Sequence, residues 1–118
     1  MNIIHVADIP KVPASHEDPR DPGVLKQVLL RRDDIPVGRI QMVNWATIPP
    51  GKSFRLHRHE NMTEICVILE GTAQMKIDNG KYSVTRGDTF VIPSTSFHSM
   101  INLGAQPVLY LVIGVVHE

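Results

Sequence analysis

From residue 24 onward, the chain alternates short apolar stretches with turn signals. Ala73, Met75 and Ile77 alternate with polar residues, which is the pattern of a strand with one buried face. No stretch shows a sustained apolar repeat of about 3.6 residues, so we predict no amphipathic helix. Many short strands at even spacing predict an all-β sandwich or barrel. The predicted strands span residues 24–31, 39–48, 64–69, 73–77, 81–85, 89–92, 97–103 and 108–116.

Glycine and proline mark the ends of these strands. A Pro-Pro-Gly run at 49–51 ends the second strand, and Pro93 follows the sixth. Asn79-Gly80 predicts a tight two-residue hairpin turn, because both residue types tolerate positive φ.

Residues 1–23 differ from the rest of the chain. They hold four of the nine prolines, and proline removes backbone donors, so we predict an extended arm. Residues 24–118 then form a single barrel domain. The arm carries apolar residues that can pack across its own barrel or across a partner's: Ile3, Ile4, Val6, Ile9 and Val12. Because a small two-sheet barrel leaves strand edges that need cover, we expect a homodimer.

Composition narrows the class of protein. A length of 118 residues fits one domain. Acidic and basic residues balance at 12 each, which argues against nucleic acid as a partner, since such binding usually needs a basic surplus. No apolar run reaches the roughly 18 residues of a membrane span, and the N-terminus lacks the features of a secretory signal. The single cysteine, Cys66, has no internal disulfide partner, so we expect a cytoplasmic protein.

Four residues have the chemistry and the placement of metal ligands. His57 and His59 are two positions apart, so on a strand end their side chains point to the same face. A short loop at 60–63 then brings Glu64 to the start of the next strand. His98 lies in the predicted strand 97–103. Together they offer three imidazole nitrogens and one carboxylate.

The spacing around these residues resembles the two motifs of the cupin superfamily. Five residues separate Gly51 from His57, one separates the two histidines, four precede Glu64, and six lead to Gly71. In the second stretch, five residues separate Gly87 from Pro93, four precede His98, and three lead to Asn102. One position departs from the second motif, where the family usually has glycine and this chain has Thr95. A β-branched residue disfavours positive φ, so we expect this turn to take a different shape.

The resemblance is to a small, single-domain, metal-binding cupin of the conserved-barrel type. It implies a double-stranded β-helix, or jelly-roll barrel, and a divalent metal ion inside it. The residues that match the family's ligands are His57, His59, Glu64 and His98. Such a donor set suits Fe, Mn, Ni, Co or Zn, and four ligands leave two open positions in an octahedral sphere.

The function implied is that of a mononuclear metalloenzyme acting on a small organic substrate, as a dioxygenase or as an isomerase or lyase. The alternative is a non-catalytic small-molecule binding module or a metal-dependent sensor. Neither the substrate nor a catalytic acid or base beside the metal is visible in the sequence.

Six further residues are candidates for the wall of a substrate pocket. Arg55 shares parity with His57 if that strand is regular, and would then meet an anionic group, although a surface arginine is the alternative. Cys66 shares parity with Glu64 and is expected to be a buried structural thiol, with an extra soft metal ligand or a reactive thiol as the alternative. The others lie in or beside apolar strand patterns, with core or wall filling as the alternative: Met42, Met75, Phe97 and Met100. The terminal-segment histidines at 5, 16 and 117 are expected to be exposed.

Overall fold

The computed structural model describes residues 1–35 and 37–117. Within these ranges every regular element is a strand or a single 3-10 turn. The turns are Val6–Asp8 and Arg32–Asp34. The strands are β1 (Val12–Pro13), β2 (Leu25–Arg31), β3 (Ile40–Ile48), β4 (Met62–Glu70), β5 (Thr72–Ile77), β6 (Gly80–Thr85), β7 (Thr89–Ile92), β8 (His98–Ile101) and β9 (Val108–Val116).

The strands form two antiparallel sheets of different size. The larger sheet has the order β1-β2-β3-β9-β4-β7, and the smaller has the order β6-β5-β8. Strand β4 shows the alternation that the sequence predicts, because Glu64, Cys66 and Ile68 are buried while their neighbours are not. Strand β9 alternates in the same way. The fold is therefore all-β, the jelly-roll barrel of a double-stranded β-helix.

The core lies between the inner faces of the two sheets. Ile48 and Ile68 come from the larger sheet, and Met75 and Met100 come from the smaller one. Each of these side chains is almost completely buried. Burying a side chain of this size contributes about 1.5–3 kcal/mol to stability. The apolar faces of the two sheets are therefore buried against each other.

The N-terminal segment lies against the barrel of its own chain. Strand β1 pairs with β2 at the edge of the larger sheet, where a proline is tolerated because one side of an edge strand has no partner. The Gln27 side chain donates hydrogen bonds to the carbonyls of Val6 and Ile9, both at 2.9 Å. No helix in the described ranges is long and apolar enough to cross a membrane.

The hairpin between β5 and β6 differs from the prediction by one residue. Ile77 pairs with Gly80, so the two loop residues are Asp78 and Asn79. Asp78 takes the positive φ, at 49°. It exchanges hydrogen bonds with Phe97, whose carbonyl accepts from the Asp78 N–H at 2.8 Å and whose N–H donates to Asp78 Oδ1 at 3.1 Å. This contact with the segment before β8 holds the turn in its observed register.

Candidate metal centre and ligand cavity

Three separate segments bring the four predicted ligands together. An extended segment after β3 supplies His57 and His59, β4 supplies Glu64, and β8 supplies His98. The backbones of His57 and His98 form an antiparallel bridge, with N–H to carbonyl distances of 3.1 and 2.9 Å. This bridge places their rings side by side, with centroids 4.3 Å apart. One donor atom from each of the four residues lies within 4.8 Å of the others.

Hydrogen bonds orient two of the imidazoles. His57 Nδ1 donates to the Arg55 carbonyl at 2.6 Å, and His98 Nδ1 donates to the Ser96 carbonyl at 2.9 Å. A carbonyl only accepts, so the proton of each neutral ring is on Nδ1. The lone pair on each Nε2 is then available to a ligand inside the barrel. Such backbone contacts commonly fix the orientation of histidines that bind metals.

The charge states of Glu64 and His57 also suit ligation, whereas that of His59 reflects the carboxylate beside it. Burial raises the pKa of Glu64, but its contacts with His59 and His98 outweigh burial and hold the pKa at about 2. Burial lowers the pKa of His57 to about 4. Contact with Glu64 raises the pKa of His59. At neutral pH Glu64 is therefore an anion and His57 is neutral, which are the forms that bind a metal ion.

One buried nitrogen without a partner indicates that these four residues are suited to hold a metal ion. His59 Nε2 is buried and has no hydrogen-bond partner in the described part of the chain. It lies 3.3 Å from Glu64 Oε1, as does His98 Nε2, and at His59 this approach does not form a hydrogen bond. A buried polar atom without a partner costs about 1–3 kcal/mol. A divalent ion held by the three imidazoles and the carboxylate would satisfy it, and this donor set fits Fe, Mn, Ni, Co or Zn.

The four residues open onto a cavity of about 170 Å³. Four of the six pocket candidates line it, namely Met42, Cys66, Met75 and Met100. Burial raises the pKa of the Cys66 thiol, so it stays protonated and behaves as a small apolar residue. The cavity wall is mainly apolar on this side.

The other two candidates, Arg55 and Phe97, lie outside the cavity. Three residues lie between Ser53 and His57, but only two lie between their bridge partners Ile101 and His98. The additional residue makes the segment irregular and changes its parity, so Phe54 is buried and Arg55 is exposed. Phe97 is 45% exposed and its ring lies 4.9 Å from the Arg58 guanidinium carbon.

His16 also lies at the cavity, although its place in the N-terminal arm predicted an exposed histidine. The N-terminal segment carries His16 onto the cavity, where it is partly buried. Its ring stacks on that of His57, with centroids 3.8 Å apart and an angle of 20° between the planes. The pattern of the arm gives no indication of this position, because the path of an extended segment depends on what it packs against.

The turn before His98 keeps the backbone conformation that we expected Thr95 to prevent. Thr95 has a φ of 70°, a left-handed conformation that costs a non-glycine residue about 1–2 kcal/mol. Its N–H donates to the His59 carbonyl at 2.6 Å. This bond offsets part of the cost and joins the His59 segment to the turn that leads into His98.

Comparison with known proteins identifies the family to which this chain belongs. The sequence profile of the cupin domain matches residues 44–114. The chain belongs to the cupin family. The matched range contains all four candidate ligands and the strands that carry Glu64 and His98. The departure at Thr95 does not remove the chain from the family.

Individual cupins resemble this chain over different lengths. An uncharacterized protein of Methanocaldococcus jannaschii, MJ1618, is 35% identical over 92 residues, which is 78% of this chain and 72% of that protein. Other curated relatives are longer, and the chain spans between 15% and 34% of their lengths.

Solved cupin structures share the fold. A predicted oxalate decarboxylase from Thermotoga maritima has a TM-score of 0.85 and 24% identity, covering 98% of this chain and 99% of that one. The polyketide cyclase RemF from Streptomyces resistomycificus has a TM-score of 0.80 and 20% identity, covering 98% and 79%.

Proposed function

We propose that this cupin binds one divalent transition-metal ion with His57, His59, Glu64 and His98, and that it acts on a small organic ligand in the adjoining cavity. The observation that carries the proposal is the convergence of four donor atoms within 4.8 Å on the wall of that cavity. When bound, the metal supplies Lewis-acid chemistry, or oxygen chemistry if it is iron. We infer a metalloenzyme, either dioxygenase-like or an isomerase or lyase.

The residues of the chain have separate parts in this function. Glu64 holds a negative charge beside the imidazoles, which reduces the cost of placing a cation in a buried site. His57 and His98 are oriented by backbone carbonyls, so their nitrogens need little rearrangement to ligate. The apolar wall around Met42 and Met100 excludes water and binds the carbon skeleton of a ligand.

The alternative is a cupin that binds a ligand without turning it over. The Tyr110 hydroxyl on the cavity wall favours this alternative, because a phenol is protonated at neutral pH, burial raises its pKa further, and it can then donate a hydrogen bond to a bound ligand. That phenol is a poor general base. The enzymatic proposal has separate support. Two structures with TM-scores of at least 0.80 to this chain are described as a cyclase and as a predicted decarboxylase, and these names motivate it.

Metal content tests the ligand assignment. Purified protein should contain about one equivalent of a transition metal per chain by elemental analysis. A His57→Ala/His98→Ala variant should lose it. The matched control is His5→Ala/His117→Ala, which removes two exposed histidines outside the site and should keep the metal. Full metal content in the first variant would refute the assignment.

Oxygen uptake separates the enzyme from the binder. If the chain is an oxygenase, its Fe(II) form should consume dioxygen when a diketone or a phenolic compound is added, and its Zn(II) form should not. If it is a binder, the same compounds should raise the thermal unfolding temperature and be recovered unchanged. Stabilisation without consumption of compound or oxygen across a broad screen would favour the binding module.

A further inference from the structure

Two polar side chains on the cavity wall have no part in the metal centre. Lys26 on β2 and Asn44 on β3 line the cavity, and both also line a surface groove beside β2. They therefore lie where the cavity meets that groove. Lys26 pairs with Ala46, and Asn44 precedes Ala46 by two residues on the same face of the sheet. Such diagonal neighbours are about 7–8 Å apart, within reach of a long side chain.

Neither side chain is satisfied by the protein. Lys26 is partly buried and forms no ion pair or hydrogen bond with the residues that the structure describes. Asn44 is only 7% exposed, and its Oδ1 is buried without a hydrogen-bond partner in the same ranges. An unpaired acceptor in a protein interior is costly. Its presence beside a lysine on a cavity wall points to a ligand that pairs with both groups.

The charge of the cavity wall indicates the sign of that ligand. Glu64 is the one carboxylate among the described residues of this cavity, and it already contacts His59 and His98. The positive charge of Lys26 therefore has no counterpart on the wall. A divalent ion at the proposed metal site adds further positive charge. An anionic ligand neutralises what remains.

The strand register separates Lys26 and Asn44 from the metal ligands. Asn44 pairs with Val112 on β9, and Val112 pairs with Cys66 on β4, two residues from Glu64. Two strand spacings of about 4.8 Å separate β3 from β4. A molecule that reaches from the metal ligands to Lys26 thus needs polar groups at both ends of a short carbon chain.

We propose that Lys26 and Asn44 form a recognition subsite for the carboxylate end of a small hydroxy acid. The Lys26 ammonium pairs with the carboxylate, and a hydroxyl next to it donates to Asn44 Oδ1. One ammonium and one amide match a singly charged carboxylate better than a phosphate dianion, which needs more donors. The proposal rests on the function given above in one respect, because the other end of the ligand reaches the metal centre.

Binding of matched acids to the zinc-loaded protein tests the role of Lys26. Glutarate has a second carboxylate where pentanoate has a methyl group. By calorimetry, wild type should bind glutarate at least ten times more tightly than pentanoate. Lys26→Met should lose this preference, and Lys26→Arg should keep part of it. The control Lys76→Met removes an exposed lysine of β5 that does not line the cavity, and should keep all of it.

The hydroxyl is tested with Asn44. Wild type should bind 2-hydroxyglutarate more tightly than glutarate, and Asn44→Leu, which has a similar shape, should remove that difference. If the difference survives in Asn44→Leu, the hydroxyl contacts the metal and not Asn44, and this half of the proposal is wrong. Asn44→Leu should fold at least as stably as wild type, because it removes an unpaired buried acceptor.

A ratio of glutarate to pentanoate affinity near one in wild type would overturn the subsite, and so would an unchanged ratio in Lys26→Met. Elemental analysis of each variant keeps the two proposals apart. A wild type that binds no metal would refute the metal centre, and the affinity ratio measured on that protein would still decide the subsite.

Discussion

The Glu17 carboxylate joins the N-terminal segment to the metal-binding segment. Its side chain is 4% exposed. Oε1 accepts from the Gly23 N–H at 2.6 Å, and Oε2 accepts from the Arg55 N–H at 2.7 Å. The Arg55 carbonyl in turn accepts from His57 Nδ1. Glu17 therefore holds the arm in place and anchors the backbone of Arg55, the residue whose carbonyl orients His57.

Replacing Glu17 by alanine leaves both backbone donors without this acceptor. Hydrogen bonds to a charged group contribute about 1.5–3 kcal/mol each. Gly23 is buried, whereas Arg55 is exposed and water can replace its bond. We therefore expect Glu17→Ala to lower the free energy of unfolding by about 3 kcal/mol, from one full bond and part of another. Glu17→Gln keeps one side-chain oxygen as an acceptor and should lose about half as much.

Urea denaturation followed by Trp45 fluorescence measures this loss. The control is Glu60→Ala, because the Glu60 side chain is 70% exposed and forms a surface ion pair with Arg58 at 3.0 Å. Exposed pairs contribute about 0–1 kcal/mol. Equal, small effects of Glu17→Ala and Glu60→Ala would refute the argument.

Metal affinity gives a second measurement on the same variant. Loss of the groups that orient a ligating histidine commonly weakens metal binding by about 10–100-fold. Glu17→Ala should therefore weaken metal binding by about ten-fold, and Glu60→Ala should not. Unchanged affinity in Glu17→Ala would mean that the arm is attached to the barrel without influencing the metal centre.

Three further measurements test other parts of the structure. Burial lowers the pKa of His57 to about 4, so unfolded His57 takes up a proton between about pH 6.5 and 4 that the folded form does not. The urea midpoint of metal-free protein should therefore fall less with acidification in His57→Ala than in wild type. A steeper fall in the variant would contradict this. Thr95→Gly should stabilise the fold by about 0–1.5 kcal/mol in the same assay, since it relieves a left-handed φ worth about 1–2 kcal/mol at an entropic cost of about 0.5–1 kcal/mol. Destabilisation would show that the Thr95 side chain is needed. Light scattering should give about twice the 13.2 kDa chain mass, because Ile3 is 68% exposed and the sheets have open edges; the monomer mass would refute the homodimer.

The fold and the four candidate ligands were readable from the sequence. Strands β7 and β9 have the predicted bounds, and β2 and β3 begin within one residue of them. Alternation fixes which face of a strand is buried, and the spacing of glycine, proline and histidine is a property of the chain alone. Asn44 was also readable, since it is a polar residue in parity with Met42 and Ala46 on an inward face, but that signal was not used.

Tertiary structure decided the rest, and the reason is the same in each case. Arg55 faces outward because the segment from Ser53 to His57 has one residue more than the part of β8 with which it pairs. This mismatch is a property of the pairing and cannot be seen in the segment alone. His16 reaches the cavity because Glu17 ties an otherwise extended arm to Gly23 and to the backbone of Arg55. Local pattern determines which way a side chain points within a regular strand. The path of irregular segments depends on hydrogen bonds to distant residues, which the sequence pattern does not specify.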